Sequence, residues 1–515
     1  NERGCIMTED KRPPLFVGKD IERVVPALLA ALAEHDAVFD HGGKIVTVTG
    51  AGKDATISPL DGQYMAELVA QRRRFVRASR DGGEEPASPP FRVLDGLQQR
   101  PSREPIRRLR GIARVPYIGE GGHVVTAPGF DERTGFLGAW EKALPPLRKN
   151  LTKADARRAY EDLSALWENF PFETETDGAA MLAPLITAIV RPWLVAENVA
   201  APWFLITANR PGVGKSLAAT LAGDVLGDDA LALTAADCPR GELAKRIDGY
   251  LLGARPLVVL DDVKQAFGSG AIDALATAGG SFDVRRLGST GQIRCVNGTT
   301  WIVTGNNMAL ASDSGRRFVP IHLRSATPNP ADLPDAPAEA RKHRERYLTA
   351  VLTIVAAWQQ NGSPAPPKGD KFVTYERWRA IVAGALYFAS GFDVCGRRGE
   401  LESRDEKQQA MGTLLSVWKD AFKTEGSATA TGFLDWLQGE GGSQHDQVIA
   451  AREALEILIA NFDLSRRSSA PLGTLLRTYA DREIPCRGGR RLVVERARYN
   501  HHSETNRWTV REVQP

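Results

Sequence analysis

The chain has 515 residues, of which 43% are apolar and 25% charged, and a formal net charge of +3. These values exclude wholesale disorder and a collagen-like repeat, and the length suits roughly three domains at ~150 residues each. The five cysteines (Cys5, Cys238, Cys295, Cys395, Cys486) are far apart and form no CxxC pair. That spacing argues against a disulfide framework or a zinc site and for a reducing, cytoplasmic setting.

Charge is unevenly placed. Residues 71–114 hold 12 basic and 5 acidic side chains, and residues 465–515 hold 11 and 5. Two basic regions around a balanced middle suit contact with a polyanion.

Residues 11 to about 140 mix short strand-like and helical stretches with turn signals such as "DHGGKIVTV" and "YIGEGGHVVTAPG". "VAQRRRFVR" (69–77) sets Phe75 among arginines. It reads either as a stacking residue for single strands or as an amphipathic helix with its basic face in water. "RPSREPIRRLR" (100–110) is a second basic stretch, and "DGGEEPASPP" (81–90) reads as a flexible loop. From Thr152 to Asn198 the period is helical, with Pro184 expected to kink or interrupt the second helix. The longest apolar run, Ala179 to Val190, ends at Arg191 and is too short to span a bilayer, so no membrane contact is expected.

After Ala201 the pattern becomes α/β. "PWFLITA", "ALALTA", "RPLVVLDD", "TTWIVTG" and "RRFVPIHL" are short β-rich runs with helical segments between the first three. That alternation predicts a parallel sheet with helices on both faces. Past Arg324 the chain turns helical over 337–360, 374–390, 400–423 and 446–462, with breaks at "NGSPAPPKGD", "KTEGSATATG" and "GEGGSQ". The last fifty residues pair a helical "PLGTLLRTYA" with strand-like "RRLVVERARY" and "NRWTVREV". The expected units are 1–150 (α+β accessory), 151–200 (helical collar or linker), 201–330 (core), 331–440 (helical lid or connector) and 441–515 (winged-helix-like).

Chemistry concentrates in the core. "FLITANRPGVGKSLAATLAG" sets a loop between strand and helix. In such a loop Pro211, Gly212, Val213 and Gly214 bring the backbone around an anion, Lys215 adds a point charge to the β/γ-phosphates, and Ser216 offers a hydroxyl to Mg²⁺. The first glycine of the GxxxxGK[ST] pattern is replaced by Asn209, a residue that tolerates a left-handed backbone. At the end of the third strand run Asp261 is placed to hold the metal shell and Asp262 to polarise an attacking water. "TGNN" ends the next strand on Asn306, with Asn307 as the alternative, where an amide can touch the γ-phosphate. Arg316 and Arg317 follow, and one of them is suited to neutralise the transferring phosphoryl group from a neighbouring subunit.

The order GKS, LDD, TGNN, GRR resembles the AAA+ ATPases of helicase superfamily 3, in particular the phage, plasmid and mobile-element branch that includes the poxvirus-type primase-helicases. "FDVRRLGSTGQIRCVNGTTWIVTGNN" carries that family's β-hairpin ahead of the sensor strand. The resemblance implies an AAA+ P-loop core, ATP and Mg²⁺, and a homo-oligomer, a hexamer by family likeness. It also implies 3′→5′ movement on single-stranded and forked DNA, and a primase or polymerase on another polypeptide or upstream of Asn1. By the same likeness Asn306 is the sensor and the hairpin grips nucleic acid through Arg285, Arg286 and Arg294, with Gly288, Gly291 and Asn297–Gly298 as turn points. Strand alternation sets Arg285 and Arg286 on opposite faces. Arg490, Arg491 and Arg507 would track a C-terminal wing along the duplex. An initiator, a loader or a DNA-bound ATP switch without processive unwinding is the alternative. His501–His502 has no Cys or acid at ligand spacing and is left as loop.

Overall fold

The computed structural model describes residues 11–18, 20–227, 232–234, 242–263, 270–285, 292–306, 315–325, 335–367, 372–399, 406–422, 426–439, 445–459, 462–464, 468–486, 490–497 and 506–513. The fold is mixed α/β around a five-stranded parallel sheet. Its elements, in chain order, begin with two helices, α1 (Lys153–Ser164) and α2 (Ala183–Ala196), followed by β1 (Trp203–Ala208), α3 (Lys215–Leu226), β2 (Ala232–Thr234), α4 (Glu242–Leu252) and β3 (Leu257–Val263). Then come α5 (Gly270–Thr277), the hairpin β4 (Ser281–Arg285) and β5 (Gln292–Val296), β6 (Thr300–Asn306) and β7 (Phe318–Leu323). The strand order is β2-β3-β6-β1-β7.

Both faces of this sheet are buried, and the period of two is visible in the packing. Phe204, Ile206, Val259, Ile302 and Ile321 join one core with α1, α2 and α3. Trp203, Leu205, Val258, Trp301 and Phe318 join a second core with α4 and α5. On that side Trp203 and Trp301 stack with ring centroids 5.0 Å apart. Continuous Val/Ile/Leu/Trp runs are what a doubly covered parallel sheet requires.

Pro184 lies in the first turn of α2, where its missing N–H costs nothing, and the break falls just before it, between Glu175–Ala180 and α2. Taken through that break, Glu175–Ala196 is long and apolar enough to cross a membrane. However, 89% of its most apolar window is buried in the protein, so it is a core element.

The N-terminal part departs from expectation in two places. Arg74–Ala78 is a strand, not a helix, and Phe75 is buried at 8% exposure. Its two arginines pair as Arg74–Glu84 and Arg77–Glu85, and Arg73 just before it pairs with Glu34. Glu84–Pro86, inside the expected loop, is the antiparallel neighbour that supplies two of those acids. The "HGGK" turn closes a hairpin between Val38–His41 and Lys44–Thr49, with Gly42 and Gly43 both at positive φ. That is the two-residue turn whose twist matches paired strands.

Toward the C-terminus a separate core gathers α6 (Glu406–Ala421), α7 (Ala430–Gly439), α8 (His445–Leu458), α9 (Ala470–Tyr479) and an antiparallel sheet. The sheet order is Ala428–Thr429, then β10 (Arg507–Val513), β9 (Arg491–Arg496) and β8 (Glu483–Pro485). This core starts at Ala410, ahead of residue 441, because Trp418 stacks on Phe433 with centroids 4.5 Å apart. Helix α7 was missed in the sequence because glycine-rich breaks bracket its ten residues.

Candidate nucleotide site

The C-terminal edge of the parallel sheet collects the polar ends of its strands. In register, Ala208 at the end of β1 lies beside Asn306 at the end of β6 and beside Leu323 at the end of β7. The loop after β1 turns through Gly212 (φ 76°) and Gly214 (φ 93°), and α3 starts at Lys215. These two positions need the left-handed region that glycine enters without strain. Lys215 is buried at 8% exposure. Burial pulls its ammonium below the ordinary lysine value, and the nearby carboxylates of Asp262 and Asp261 oppose that shift.

Asp261 and Asp262 are aimed by a β-bulge. Leu260 pairs with Val303 and Val263 with Gly305, so two aspartates face the single Thr304. The same extra residue explains why Leu260 and Val263, three apart, share one core. Thr304, fully buried, closes the bulge with one hydroxyl. It donates to Asp261 Oδ1 at 2.6 Å and accepts the Asp262 N–H at 3.0 Å. Asp262 sits at φ 50°, a strained backbone for a non-glycine residue, which the bulge holds in place. Ser216 Oγ donates to the same Asp261 Oδ1 at 2.6 Å. This brings a hydroxyl and a carboxylate together beside the loop after β1, oxygen donors of the kind Mg²⁺ takes.

Thr304 was missed from sequence because a threonine in an apolar strand is ordinary β composition. Replacing it with valine should remove the bonds from the Asp262 N–H and to Asp261 and cost about 1–3 kcal/mol in chemical denaturation. Thr304→Ser should keep most of that stability, since the hydroxyl remains.

Asn209 does not use the left-handed backbone expected of it, since it is not among the positive-φ residues. Its amide instead pairs with the backbone of Ser325, donating to the carbonyl at 3.0 Å and accepting the N–H at 3.1 Å. The loop is thereby tied to the chain leaving β7. Asn209→Ala removes both bonds, with an expected loss of about 1–3 kcal/mol measured by urea midpoint.

Edge strand β7 is covered rather than open. Asp177 accepts the His322 N–H at 2.9 Å, and the Glu173 N–H donates to the His322 carbonyl at 2.8 Å. Arg397 ties both acids, reaching Glu173 at 2.8 Å and Asp177. Its neighbour Arg398 stacks over Phe372 and donates to the Arg316 carbonyl at 3.1 Å, at the other end of the strand. Nothing local in the sequence marks these contacts, because the hydrogen-bond and ion-pair partners are 82 to 224 residues apart and even Phe372 is 26 residues from Arg398.

The two adjacent arginines differ. Arg317 is buried at 8% exposure and pairs with Asp273 of α5 at 3.5 Å, whereas Arg316 is exposed. Both precede β7, at the sheet edge opposite the loop that follows β1. Five residue steps of β7 at ~3.3 Å put about 17 Å of strand between Arg317 and the level of that loop. Arg316 is therefore not brought to Lys215 within one chain.

In the hairpin, Arg285 pairs in register with Gln292, and Arg294 is opposite Asp283 and donates to Ser281 at 2.8 Å. Asn307, Arg286, Gly288, Gly291 and His501–His502 lie outside the described residues. Asn297 and Gly298 are not turn points of the hairpin. They lead from β5 to β6, with the Asn297 amide bonded to the Ala278 carbonyl at 3.1 Å. At the C-terminus Arg490 is exposed, Arg491 pairs with Glu483 at 3.1 Å, and Arg507 bonds Ser427.

No family model matches the chain, and no curated protein does. Among solved structures, it is similar to the apo C-terminal region of NrS-1, with 10% identity, a TM-score of 0.39, and coverage of 92% of this chain and 95% of that one. It is also similar to a JCV helicase with a substituted N-phenylacetamide compound bound, with 14% identity, a TM-score of 0.22, and coverage of 48% and 75%. At such scores the likeness decides nothing, and the fold rests on the sheet order and packing above.

Proposed function

We propose that the chain is a ring-forming ATPase of the AAA+ type that moves on single-stranded DNA and opens forked duplexes in replication of a phage or mobile element. The observation that carries this reading is the separation of Lys215 and Arg316 to opposite edges of one sheet. A phosphate loop at one edge and an exposed guanidinium at the other let copies join head to tail, each completing its neighbour's site.

In this reading the loop Pro211–Gly214 and Lys215 bind the β/γ-phosphates of ATP. Ser216 and Asp261 hold Mg²⁺, whose charge offsets that of the phosphates. Asp262, fixed by Thr304, orients and polarises the attacking water. Asn306, ending the strand beside β1, contacts the γ-phosphate and the water. Arg316 of the next copy neutralises charge on the transferring phosphoryl group. Arg317, paired to Asp273, anchors the start of β7 and does not act as the finger. The hairpin and the C-terminal winged-helix-like unit meet DNA through Arg285, Arg286, Arg294, Arg490, Arg491 and Arg507.

A forked duplex with a labelled strand tests this reading. Strand release that requires ATP and Mg²⁺ is expected. DNA-stimulated hydrolysis without release would instead make the chain an initiator or loader.

A further inference from the structure

We infer that a furrow between the N-terminal unit and the β4–β5 hairpin is a binding site for the phosphodiester backbone of single-stranded DNA. The inference rests on the proposed action on DNA and adds a site outside the hairpin tip. The floor is the last turn of α2, through Pro192, Val195 and Ala196. One wall is the hairpin at Ser281 and Arg294, and the other is the extended segment at Arg108 and Arg110. Two cavities of about 350 and 280 Å³ share Arg110 and this floor, and Arg133 lines the second. Their volumes fall around the lower end of the small-ligand range, roughly 300 Å³.

The charge of the walls is uncommitted where it matters. In the basic stretch 100–114, three arginines are structural. Arg103 bonds the Gly43 and Gln98 carbonyls, Arg107 pairs with Asp36 over two aromatic rings, and Arg114 bridges Gly52 and Ala55 to the Gly253 carbonyl. Arg108, Arg110 and Arg133 are exposed, and among the described residues none has a side-chain hydrogen bond or ion pair. Strand alternation explains the split, because buried Leu109 points inward and Arg108 and Arg110 share the other face. By contrast, Arg73, Arg74 and Arg77 of the basic run 72–77 pair with Glu34, Glu84 and Glu85. Glu120 is the acid among the lining residues.

The seam is rigid enough to hold such a site. Val296 of the hairpin packs on the core of Ala113, Tyr117 and Phe136, and a Cβ added at Gly111 would sit 3.1 Å from Val296. Arg114 clasps the loop before β3 from the same unit. Guanidiniums without bases or aromatics beside them read phosphate and not sequence.

The test is anisotropy of a labelled oligo-dT with the full chain, titrated at several salt concentrations. Arg108→Ala/Arg110→Ala should weaken binding and flatten the plot of log K against log[salt] by about 1.4, at ~0.7 per lost contact on a single strand. Arg133→Ala should give about half that change. Arg23→Ala/Arg77→Ala, which removes equal charge from two surface ion pairs, should leave the slope unchanged. An unchanged slope in the Arg108/Arg110 variant, or an equal change in the control, overturns the furrow. ATP hydrolysis by the parent chain separates the two ideas. Hydrolysis intact with an unchanged slope sinks the furrow alone. A lowered slope in a chain that hydrolyses no ATP sinks the motor and leaves the furrow.

Discussion

Arg316→Ala should bind ATP as tightly as the parent chain and turn it over ~10³–10⁵-fold more slowly, the range over which a guanidinium supplied to a phosphoryl transfer acts. In the proposed arrangement that effect is confined to turnover, because Arg316 is at the sheet edge away from Lys215 of its own chain. Arg317→Ala should behave differently, since its guanidinium is buried against Asp273. Losing that charge-assisted contact should cost about 1.5–3 kcal/mol of stability, visible in melting whether or not nucleotide is bound. Single-turnover hydrolysis beside equilibrium binding of a fluorescent nucleotide separates the two variants. Equal losses of turnover in both, with melting unchanged, would contradict the division of roles.

Lys215→Ala should fold normally and lose hydrolysis by at least ~10²-fold, the scale of removing one preorganised charge from a developing anion. Folding should survive because Lys215 carries a desolvation cost that alanine does not. Burial already pulls its ammonium below the ordinary value, with Asp262 and Asp261 only partly offsetting that pull. A melting temperature at or slightly above that of the parent, together with lost turnover, is the expected pair of results. A large drop in melting temperature would mean that the lysine holds the two aspartates together structurally.

Much of the core was legible because its signals are local. Alternating apolar strands and helices gave the elements of the parallel sheet, and the spacing of Lys215, Ser216 and Asp261 fits their meeting at one edge. The features that stayed hidden depend on contacts distant in the chain. The bulge at Asp261–Asp262 needs Thr304, 43 residues away from Asp261. The tie from Asn209 to Ser325 spans 116 residues. The difference between Arg316 and Arg317 is set by Asp273 on α5, and two adjacent arginines carry no sign of it. Phe75 among arginines reads locally as a stacking residue or as part of a solvated basic helix, yet it is buried in a strand whose neighbouring arginines meet Glu34, Glu84 and Glu85 on other elements. Local charge runs therefore mislead when their partners are remote.

Mixing two inactive variants tests the shared site most directly. Lys215→Ala chains keep Arg316, and Arg316→Ala chains keep the phosphate loop. At equal amounts, about a quarter of head-to-tail interfaces would pair a sound loop with a sound guanidinium. ATP hydrolysis should therefore return on mixing and peak near equal proportions. A mixture that co-assembles yet stays as inactive as either variant at every ratio would contradict a site built from two copies.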